Sequence, residues 1–437
     1  MLIAFSVGNY LSFKDIKTFN MTAASIKEKQ EHIFVVNKNI KLLKSAVVYG
    51  ANASGKSNLI SAMNFMRNLV INSSKETQSG EKIGVTSFKF STETKKEPSF
   101  FEIVFFYSGN KYRYGFLVDT ERIQEEWLYV IKVGKNKEIE LFYRQNSQIN
   151  VNKTEFKEGQ DKEPRENALF LSQLAQGLSK ISADNKISKE IVGNFFVNKL
   201  NIVSGLQTKS FMSYTMENFA NGKFKDQILK SIKEADLGIE DIIIEEVALT
   251  LEKINKIDKN LPKQVKEKIL SEARKMTSIT TLHKEYDKDN KETGLSSLEI
   301  EEESEGTQRY LSLLGPIIDV LNNGKILVVD EFGASLHSSL SKGIIGLFHD
   351  KEINQNNAQL IFNSHDTNLL DKQSFRRDEI WFTEKDQYGA TDLYSLVEFK
   401  TGKNQRIRND ESYGKNYIAG KYGAIPFIGD FESLMED

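Results

Sequence analysis

The sequence contains no cysteine, which excludes disulfides, thiolate zinc sites and cysteine nucleophiles and fits a reducing cytoplasm. Long apolar runs are missing too. Stretches such as "DIIIEEVALTL" and "KILVVDEF" are interrupted by carboxylates well short of the roughly 18 apolar residues that a membrane span requires. The start, "MLIAFSVGNYLSF", lacks a basic segment and a small-residue cleavage site, so we expect no secretory signal. These absences predict a cytoplasmic protein that does not enter a membrane.

An excess of charge of one sign is also absent, since 59 basic and 61 acidic side chains give a formal net charge of −2. A dedicated nucleic-acid binder usually carries a basic excess, so a contact with DNA or RNA would have to come from a local patch. Hydrophobic residues make up 39% and charged residues 27%, the balance of a soluble globular protein. A length of 437 residues favours two or three domains, or one domain with a large insertion.

Three segments differ in pattern, although no Pro- or Gly-rich linker separates them. Residues 1–175 read as strands around one glycine-rich loop, with a hairpin turning at Ser108-Gly109-Asn110. Residues 176–290 are rich in Lys, Glu, Asn and Ser and show helical periodicity, so we expect a helical insertion. Residues 291–437 return to alternating strands and helices, including a helix over 305–322 that Pro316 should kink or split. The pattern predicts an α/β fold with an inserted helical subdomain.

The segment "GANASGKS", residues 50–57, has the pattern of a phosphate-binding loop. Gly50 and Gly55 allow backbone N–H groups to close around phosphate oxygens, and the following helix adds its N-terminal dipole. Lys56 would lie between the β- and γ-phosphates of ATP, and Ser57 would bind Mg²⁺. The context agrees with this interpretation. A buried-strand pattern, "SAVVY", precedes the loop, and a helix follows it with an apolar face formed by Leu59, Met63, Met66 and Val70.

The run "KILVVDEFG" predicts a buried strand that ends in two acids. Asp330 would hold Mg²⁺ through water, and Glu331 would polarise the attacking water. A strand that ends in two acids is common by itself, and the phosphate loop upstream is what makes the interpretation specific.

Two further motifs are ambiguous when each is taken alone. In "ESEGTQRYLSLL", Ser304 can cap a helix and Gly306 permits close backbone approach, which suits a phosphate, but a solvated acidic edge would look the same. In "AQLIFNSHD", a strand delivers His365, which could bind the γ-phosphate, although a single histidine is usually structural. His32, His283, His337 and His349 show no metal-ligand spacing.

In their order, "GANASGKS", "ESEGT", "VVDE", "GASLH" and "NSHD" resemble the ABC-type ATPase head of the SMC, RecF and OLD kind. More narrowly, they resemble the AAA-type ABC ATPases of bacterial abortive-infection and phage-defence operons. The resemblance implies that Ser304 and Gly306 form a signature motif that completes the ATP site of a second subunit, with Ser335 in the D-loop. It implies a Q-loop, for which Gln173 is the candidate. Further nucleotide contacts are expected from the remaining loop residues, Asn52, Ala53, Ser54 and Asn58.

The resemblance also implies a function. We expect a Mg²⁺-dependent ATPase that acts as a homodimer or higher homo-oligomer and controls a separate effector, such as a TOPRIM- or HNH-type nuclease. The 72 residues after His365 are too few for the nuclease domain of OLD-type relatives, which is why the effector is expected on another chain. Nucleic acid or a phage component as the trigger stays open. An SMC- or RecF-like ATPase acting directly on DNA is the alternative, and a transporter subunit is disfavoured by the lack of "LSGGQ".

Two weaker features have ordinary explanations beside functional ones. Asp287 and Asp289 form a D-x-D pair of the kind found in nuclease metal sites, but "YDKDNKETG" reads as a polar turn between strands. The stretch from Lys400 to Lys421 is basic. A solvated surface is the favoured explanation, and a patch for a partner or nucleic acid is the functional alternative.

Overall fold

The computed structural model describes residues 1–38, 40–75, 80–159, 163–176, 187–203, 208–248, 250–257, 261–272, 275–400 and 407–426. The strands are β1 (Leu2–Gly8), β2 (Lys17–Asn20), β3 (Ile33–Asn37), β4 (Ile40–Leu43), β5 (Ser45–Tyr49), β6 (Ser99–Tyr107), β7 (Asn110–Val118), β8 (Ile123–Ile131), β9 (Ile139–Gln145), β10 (Gln148–Val151), β11 (Leu200–Val203), β12 (Ile239–Ala248), β13 (Lys275–Tyr286), β14 (Glu292–Glu299), β15 (Ile326–Val329), β16 (Gln359–Asn363), β17 (Ile380–Lys385) and β18 (Thr391–Ser395). The α-helices are α1 (Lys56–Asn72), α2 (Phe170–Gln176), α3 (Ile187–Lys189), α4 (Thr208–Ala220), α5 (Lys225–Glu234), α6 (Leu251–Ile257), α7 (Lys263–Glu272), α8 (Glu305–Asn323), α9 (Ser338–His349) and α10 (Tyr413–Ile418). A π-helix, Glu190–Lys199, continues α3. The class is α/β, as predicted.

The chain divides into two compact units. The first contains Met1–Gly205, Val320–Ala334 and Ser338–Asp437, and the second contains Leu206–Asp319 and Ser335–His337. This division differs from the expected insertion over 176–290 at both ends. Residues 187–203 belong to the first unit because β11 pairs in parallel with β15.

The first unit is organised around a sheet of strand order β11-β15-β16-β5-β17-β18, in which β18 alone among these described strands runs antiparallel to its neighbour. Because parallel strands are covered on both faces, they read as continuous apolar runs. All residues of β5, β15 and β16 are buried, which confirms the buried strands predicted from "SAVVY" and "KILVVD". The carboxyl ends of β5, β15 and β16 therefore lie at one edge, and the loop Gly50–Gly55 follows β5 there.

A second sheet of the first unit is antiparallel, with strand order β10-β9-β8-β7-β6-β1-β2. Tyr107 pairs with Asn110, and φ is 47° at Ser108 and 80° at Gly109, which confirms the predicted hairpin. Gln359 at the start of β16 joins the two sheets. Its side-chain oxygen accepts from Leu2 N at 2.7 Å, and its amide donates to Leu2 O at 3.1 Å. The predicted apolar face of α1 lies in the same core (Leu59, Met63, Met66 and Val70).

The second unit contains the predicted helices α5 and α7 and, in addition, an antiparallel sheet of strand order β12-β13-β14. Strands on either side of the turn "YDKDNKETG" were expected, but a three-stranded sheet within the helical segment was not, and β14, which is exposed at every residue but its last, has no buried alternate side chains to indicate one. Its pairing partner β13 reads "KMTSITTLHKEY", in which polar residues occupy most positions. Apolar alternation, the usual signal of a half-buried strand, is therefore weak here.

Helix α8 continues through Pro316, so of the two expected effects, a kink or a split, the split does not occur. Proline removes the hydrogen bond that its nitrogen would donate to the carbonyl four residues earlier, which is that of Ser312. Thr215 Oγ1 donates to Ser312 O at 3.0 Å and accepts from Gly315 N at 3.1 Å. A buried hydroxyl thus replaces the lost donor and keeps the helix continuous.

Candidate functional site

The loop between β5 and α1 has backbone geometry that requires glycine at Gly55. Its φ is 113°, and a Cβ atom there would lie 2.4 Å from Thr391 Oγ1. Ala53 also has positive φ, at 60°, so the loop turns sharply before the helix begins at Lys56. The first N–H groups of an α-helix have no intrahelical partner, and here they follow directly on the loop. This combination of loop and helix N-terminus suits a phosphate.

Side-chain hydroxyls from distant segments hold the loop from behind. Thr391 Oγ1 lies 2.8 Å from Ser54 O and 2.7 Å from Ser12 Oγ, and Ser54 Oγ lies 2.7 Å from Thr383 Oγ1. Asn58, a predicted nucleotide contact, donates to Ser12 Oγ at 2.7 Å and so supports the loop. Sequence reasoning missed Ser12, Thr383 and Thr391, because single hydroxyl residues far from the motif carry no recognisable spacing.

Two backbone carbonyl groups of the loop position the Lys56 ammonium. Its ammonium donates to Gly50 O at 2.7 Å and to Ala51 O at 2.9 Å. Burial lowers the pKa of Lys56 to about 8, and the nearby carboxylates of Asp330 and Glu331 counteract only part of that effect. A phosphate bound in the loop would stabilise the charged form of Lys56, which burial disfavours.

This pKa predicts how nucleotide affinity depends on pH. Bound phosphate favours the charged form of Lys56, so above pH 8 binding must include uptake of a proton. The dissociation constant for Mg²⁺ and a non-hydrolysable ATP analogue should be flat from pH 6.5 to 7.5 and then rise about tenfold per pH unit towards pH 9.5. Fluorescence titration measures it. In Lys56→Arg the guanidinium stays charged, so its constant should not change over this range. An equal rise in the arginine variant would assign the effect to another group.

A hydroxyl and a carboxylate meet at the end of β15. Ser57 Oγ donates to Asp330 Oδ1 at 2.9 Å. Asn363, the last residue of β16, donates its amide to the same carboxylate and accepts from Glu331 N at 2.5 Å. Ser57 and Asp330 supply oxygen donors of the kind that Mg²⁺ prefers, so these residues fit that ion. Asn363 fixes both acids and was missed by sequence reasoning, although it stands directly before the "SHD" motif.

Glu331 and His365 line the same cavity as the loop. Its volume is about 500 Å³, and its lining consists of Asn52, Ala53, Ser54, Gly55, Lys56, Ser57, Asn58, Glu331, His365 and Lys385. Glu331 has a φ of 55°, a left-handed backbone conformation that is uncommon for a non-glycine residue and frequent at functional sites. Burial and the nearby Lys56 ammonium lower the pKa of His365, so its imidazole is neutral at physiological pH. Lys385, at the end of β17, is a second cation that the sequence pattern did not indicate.

The predicted signature and D-loop residues lie together in the second unit. Ser304 Oγ accepts from Thr307 N at 3.1 Å and so caps α8. A Cβ atom on Gly306 would lie 2.7 Å from Ser335 O, which means that the two backbones touch and that a side chain would not fit. Ser335 Oγ donates to Glu305 at 3.5 Å. The predicted helix cap and the predicted close backbone approach are both present.

Gln173, the Q-loop candidate, is not among the residues that line the cavity. Its side-chain oxygen accepts from Arg165 N at 3.0 Å, and the neighbouring Ser172 lies 3.0 Å from Ser74 just beyond the carboxyl end of α1. The phosphate loop is at the other end of α1, roughly 24 Å away at 1.5 Å per residue. Gln173 is therefore a structural residue of α2, and its prediction as a nucleotide contact is wrong.

The two weaker features have structural partners. Asp287 Oδ1 accepts from Asp289 N at 2.8 Å and from Lys291 N at 2.9 Å, the pattern of a polar turn, here between β13 and β14. In the basic stretch, Arg408 pairs with Asp410 at 2.9 Å, and Lys421 pairs with Glu411. Lys403 and Arg406, also part of that stretch, lie outside the described residues.

Comparison with known proteins identifies the family. Residues 45–371, three quarters of the chain, match the family described as "AAA domain, putative AbiEii toxin, Type IV TA system". No curated protein matches. A solved structure of "the recombination mediator protein RecF-ATPrS in RecFOR pathway" is similar at 14% identity and a TM-score of 0.30, with 90% of this chain and 98% of that chain covered. Within the described residues, every helix is too short or too polar to cross a membrane.

Proposed function

Because this chain belongs to the AAA-domain family associated with AbiEii toxin and type IV toxin–antitoxin systems, we propose that it is an ABC-type ATPase that hydrolyses ATP with Mg²⁺. One observation carries the proposal. A single cavity brings together the phosphate loop with Lys56, Ser57 of the Ser57–Asp330 oxygen pair, and the side chains of Glu331 and His365. These residues come from three strand ends of one sheet, a placement that a glycine-rich turn arising by chance would not produce.

Each residue has a separate task in this reaction. Lys56 exchanges its bonds to Gly50 O and Ala51 O for the β- and γ-phosphate oxygens. Ser57 and Asp330 would hold Mg²⁺, and the bound ion would supply positive charge to neutralise the phosphates. Glu331 accepts a hydrogen bond from the attacking water and orients it, while the neutral His365 donates one to the γ-phosphate. Asn363 keeps Asp330 and Glu331 in place through its two hydrogen bonds.

A second copy of the chain completes the site in this proposal. Ser304 caps α8, so the first N–H groups of that helix can meet a phosphate as those of α1 do. The contact between Gly306 and Ser335 O keeps the signature and the D-loop at a fixed spacing. Two heads that face each other would each bind ATP on Lys56 and contact the partner's ATP through Ser304. The active unit is then at least a dimer.

The proposed biological role is control of a separate effector in bacterial phage defence. The family's toxin association supports it, and so does the net charge of −2, which gives no general attraction for nucleic acid. The second unit offers a surface for the effector, a TOPRIM- or HNH-type nuclease, because β14 is exposed at every residue but its last and carries Leu295 and Leu298. ATP binding and hydrolysis would restrain and release that effector.

The purified chain should hydrolyse ATP and leave nucleic acids intact. We expect Mg²⁺-dependent phosphate release, no cleavage of single- or double-stranded DNA or RNA, and weak DNA binding with a shallow dependence on salt. Asp287→Ala should change none of these, since Asp287 forms turn hydrogen bonds. Nuclease activity lost in Asp287→Ala would overturn the separate effector. If DNA affinity falls with salt concentration as steeply as several phosphate contacts require, direct action on DNA is favoured.

A further inference from the structure

Three buried side chains with metal-ligating atoms meet in the first unit, away from the phosphate loop. His32 Nδ1 lies 2.8 Å from one oxygen of Glu379, and His349 Nε2 lies 3.4 Å from the other. The three ligand atoms are all within 4.8 Å of one another. The side chains are 4%, 10% and 0% exposed, in the order His32, His349 and Glu379. They are separated by 317 and 30 residues, which is why spacing along the chain showed no metal motif.

We propose that His32, His349 and Glu379 bind one divalent transition-metal ion, with Zn²⁺ as the representative ion. Two imidazoles and one carboxylate form a donor set that zinc uses in proteins, whereas Mg²⁺ prefers oxygen donors alone. The cluster is thus chemically distinct from the Ser57–Asp330 pair. Ser45 Oγ is the candidate for the fourth ligand of the ion, because it lies 2.8 Å from His349 Nε2 and 2.9 Å from Glu379 Oε1.

The surroundings of His32 agree with ligation by Nδ1. Its other nitrogen, Nε2, lies 3.9 Å from Glu31 Oε1 at the protein surface. A metal-bound imidazole usually donates its outer N–H to a carboxylate or carbonyl, which fixes the tautomer and the ring orientation. When Nδ1 of His32 binds the metal, it gives up the proton that it donates to Glu379. The ring then carries its proton on Nε2, and that N–H points towards Glu31.

The imidazole rings of His32 and His349 are stacked, with centroids 3.5 Å apart and planes 15° from parallel. In parallel rings the nitrogen lone pairs lie in parallel planes and cannot converge on one point. One ring therefore has to rotate about its Cβ–Cγ bond before both nitrogens can bind the same ion. Histidine torsions about this bond have broad preferences, so the turned ring needs no strained rotamer. The turn exchanges two hydrogen bonds of the cluster, from His32 to Glu379 and between His349 and Ser45, for two metal–nitrogen bonds.

The position of the cluster indicates a structural ion. Ser45 begins β5 and Glu379 directly precedes β17, whereas the phosphate loop follows the end of β5. The two sites are thus at opposite ends of the same strand, roughly 16 Å apart over five residues at 3.3 Å each. His32 precedes β3, and His349 ends α9. An ion here would fasten three segments that are distant in sequence, without taking part in hydrolysis.

Metal content of the purified full-length chain tests the proposal. After chelator treatment and removal of the chelator, the protein is dialysed against micromolar ZnCl₂ with millimolar MgCl₂, so that Mg²⁺ competes with zinc for the oxygen ligands of Ser57 and Asp330. Mass spectrometry of the metal should give one zinc per chain, and His32→Gln, His349→Gln or Glu379→Gln should lower zinc affinity at least tenfold. His283→Gln is the matched control. It removes an imidazole that also lies 2.8 Å from a glutamate, Glu303, outside the cluster, and it should retain the zinc.

Two measurements on the wild-type chain keep the test decisive if a variant fails to fold. Co²⁺ in place of Zn²⁺ should give visible absorption bands of a four- or five-coordinate site, and X-ray absorption should show two imidazoles at about 2.0 Å. Zinc at a hundredfold excess over its dissociation constant should raise the melting temperature by about 4 °C. Wild type that stays zinc-free, a spectrum with oxygen ligands only, or equal zinc loss in His283→Gln would overturn the site. The cluster would then be a buried hydrogen-bonded imidazole–carboxylate group.

Discussion

Replacing Glu331 by Gln should slow ATP hydrolysis on the order of 10²–10⁴-fold while leaving ATP bound. The side chain lines the phosphate cavity, and its backbone N–H is fixed by Asn363 at 2.5 Å, so glutamine can occupy the same position. It cannot accept a proton or polarise water as a carboxylate does. The contacts of Lys56 and Ser57 with the nucleotide remain, so the dissociation constant should stay within about threefold of wild type. Phosphate release and equilibrium nucleotide binding measure the two effects.

Lys56→Ala should have the complementary effect and abolish binding together with turnover. The ammonium is the positive charge that the loop directs towards the phosphates, and alanine leaves the carbonyls of Gly50 and Ala51 facing them instead. Glu352→Gln is the matched control for Glu331→Gln, because it removes an exposed carboxylate elsewhere in the first unit and should change neither quantity. A Glu331→Gln protein that hydrolyses ATP at the wild-type rate would show that another residue orients the water.

Much of this site could be predicted because its residues occupy fixed positions at strand ends. The phosphate loop follows a buried strand, and Asp330 and Glu331 follow another, so the parallel sheet places them at one edge. Asn363 was predictable in principle, being the last residue of the strand between them. Ser12 and Thr391 were not, because their contacts with the loop depend on turns whose geometry has no sequence period. Gln173 failed for a related reason, since a helical glutamine gives no indication of which end of α1 it lies beside.

The second unit marks the limit of pattern reasoning about the fold. Helices α5 and α7 have apolar spacing and were expected, whereas a sheet of β12, β13 and β14 in the same segment was not. Only the polar turn between β13 and β14 was predicted, because this antiparallel pair has little apolar alternation. Pro316 predicted a kink or a split in α8, and the helix does not split. The hydroxyl of Thr215, about a hundred residues earlier, supplies the donor that proline lacks, and only the tertiary structure brings the two together.

Mixing two inactive variants should restore ATP hydrolysis if Ser304 acts across a dimer. Lys56→Ala removes phosphate binding in its own head, whereas Ser304→Arg blocks the surface that meets the partner's ATP. A mixed dimer has one composite site with Lys56 from one chain and Ser304 from the other, both intact. Random exchange of equal amounts makes half of the dimers mixed, each with one working site of two, so about one quarter of wild-type activity should return.

The control for this experiment is a mixture in which no intact composite site can form. Lys56→Ala mixed with the double variant Lys56→Ala/Ser304→Arg yields the same dimers but lacks Lys56 in every head, so it should stay inactive. Subunit exchange is verified with two differently tagged chains before activity is measured. If mixed dimers are present and hydrolysis stays at the level of this control, the signature does not act in trans. Ser304 would then serve only as the cap of α8 that its 3.1 Å bond to Thr307 N shows it to be.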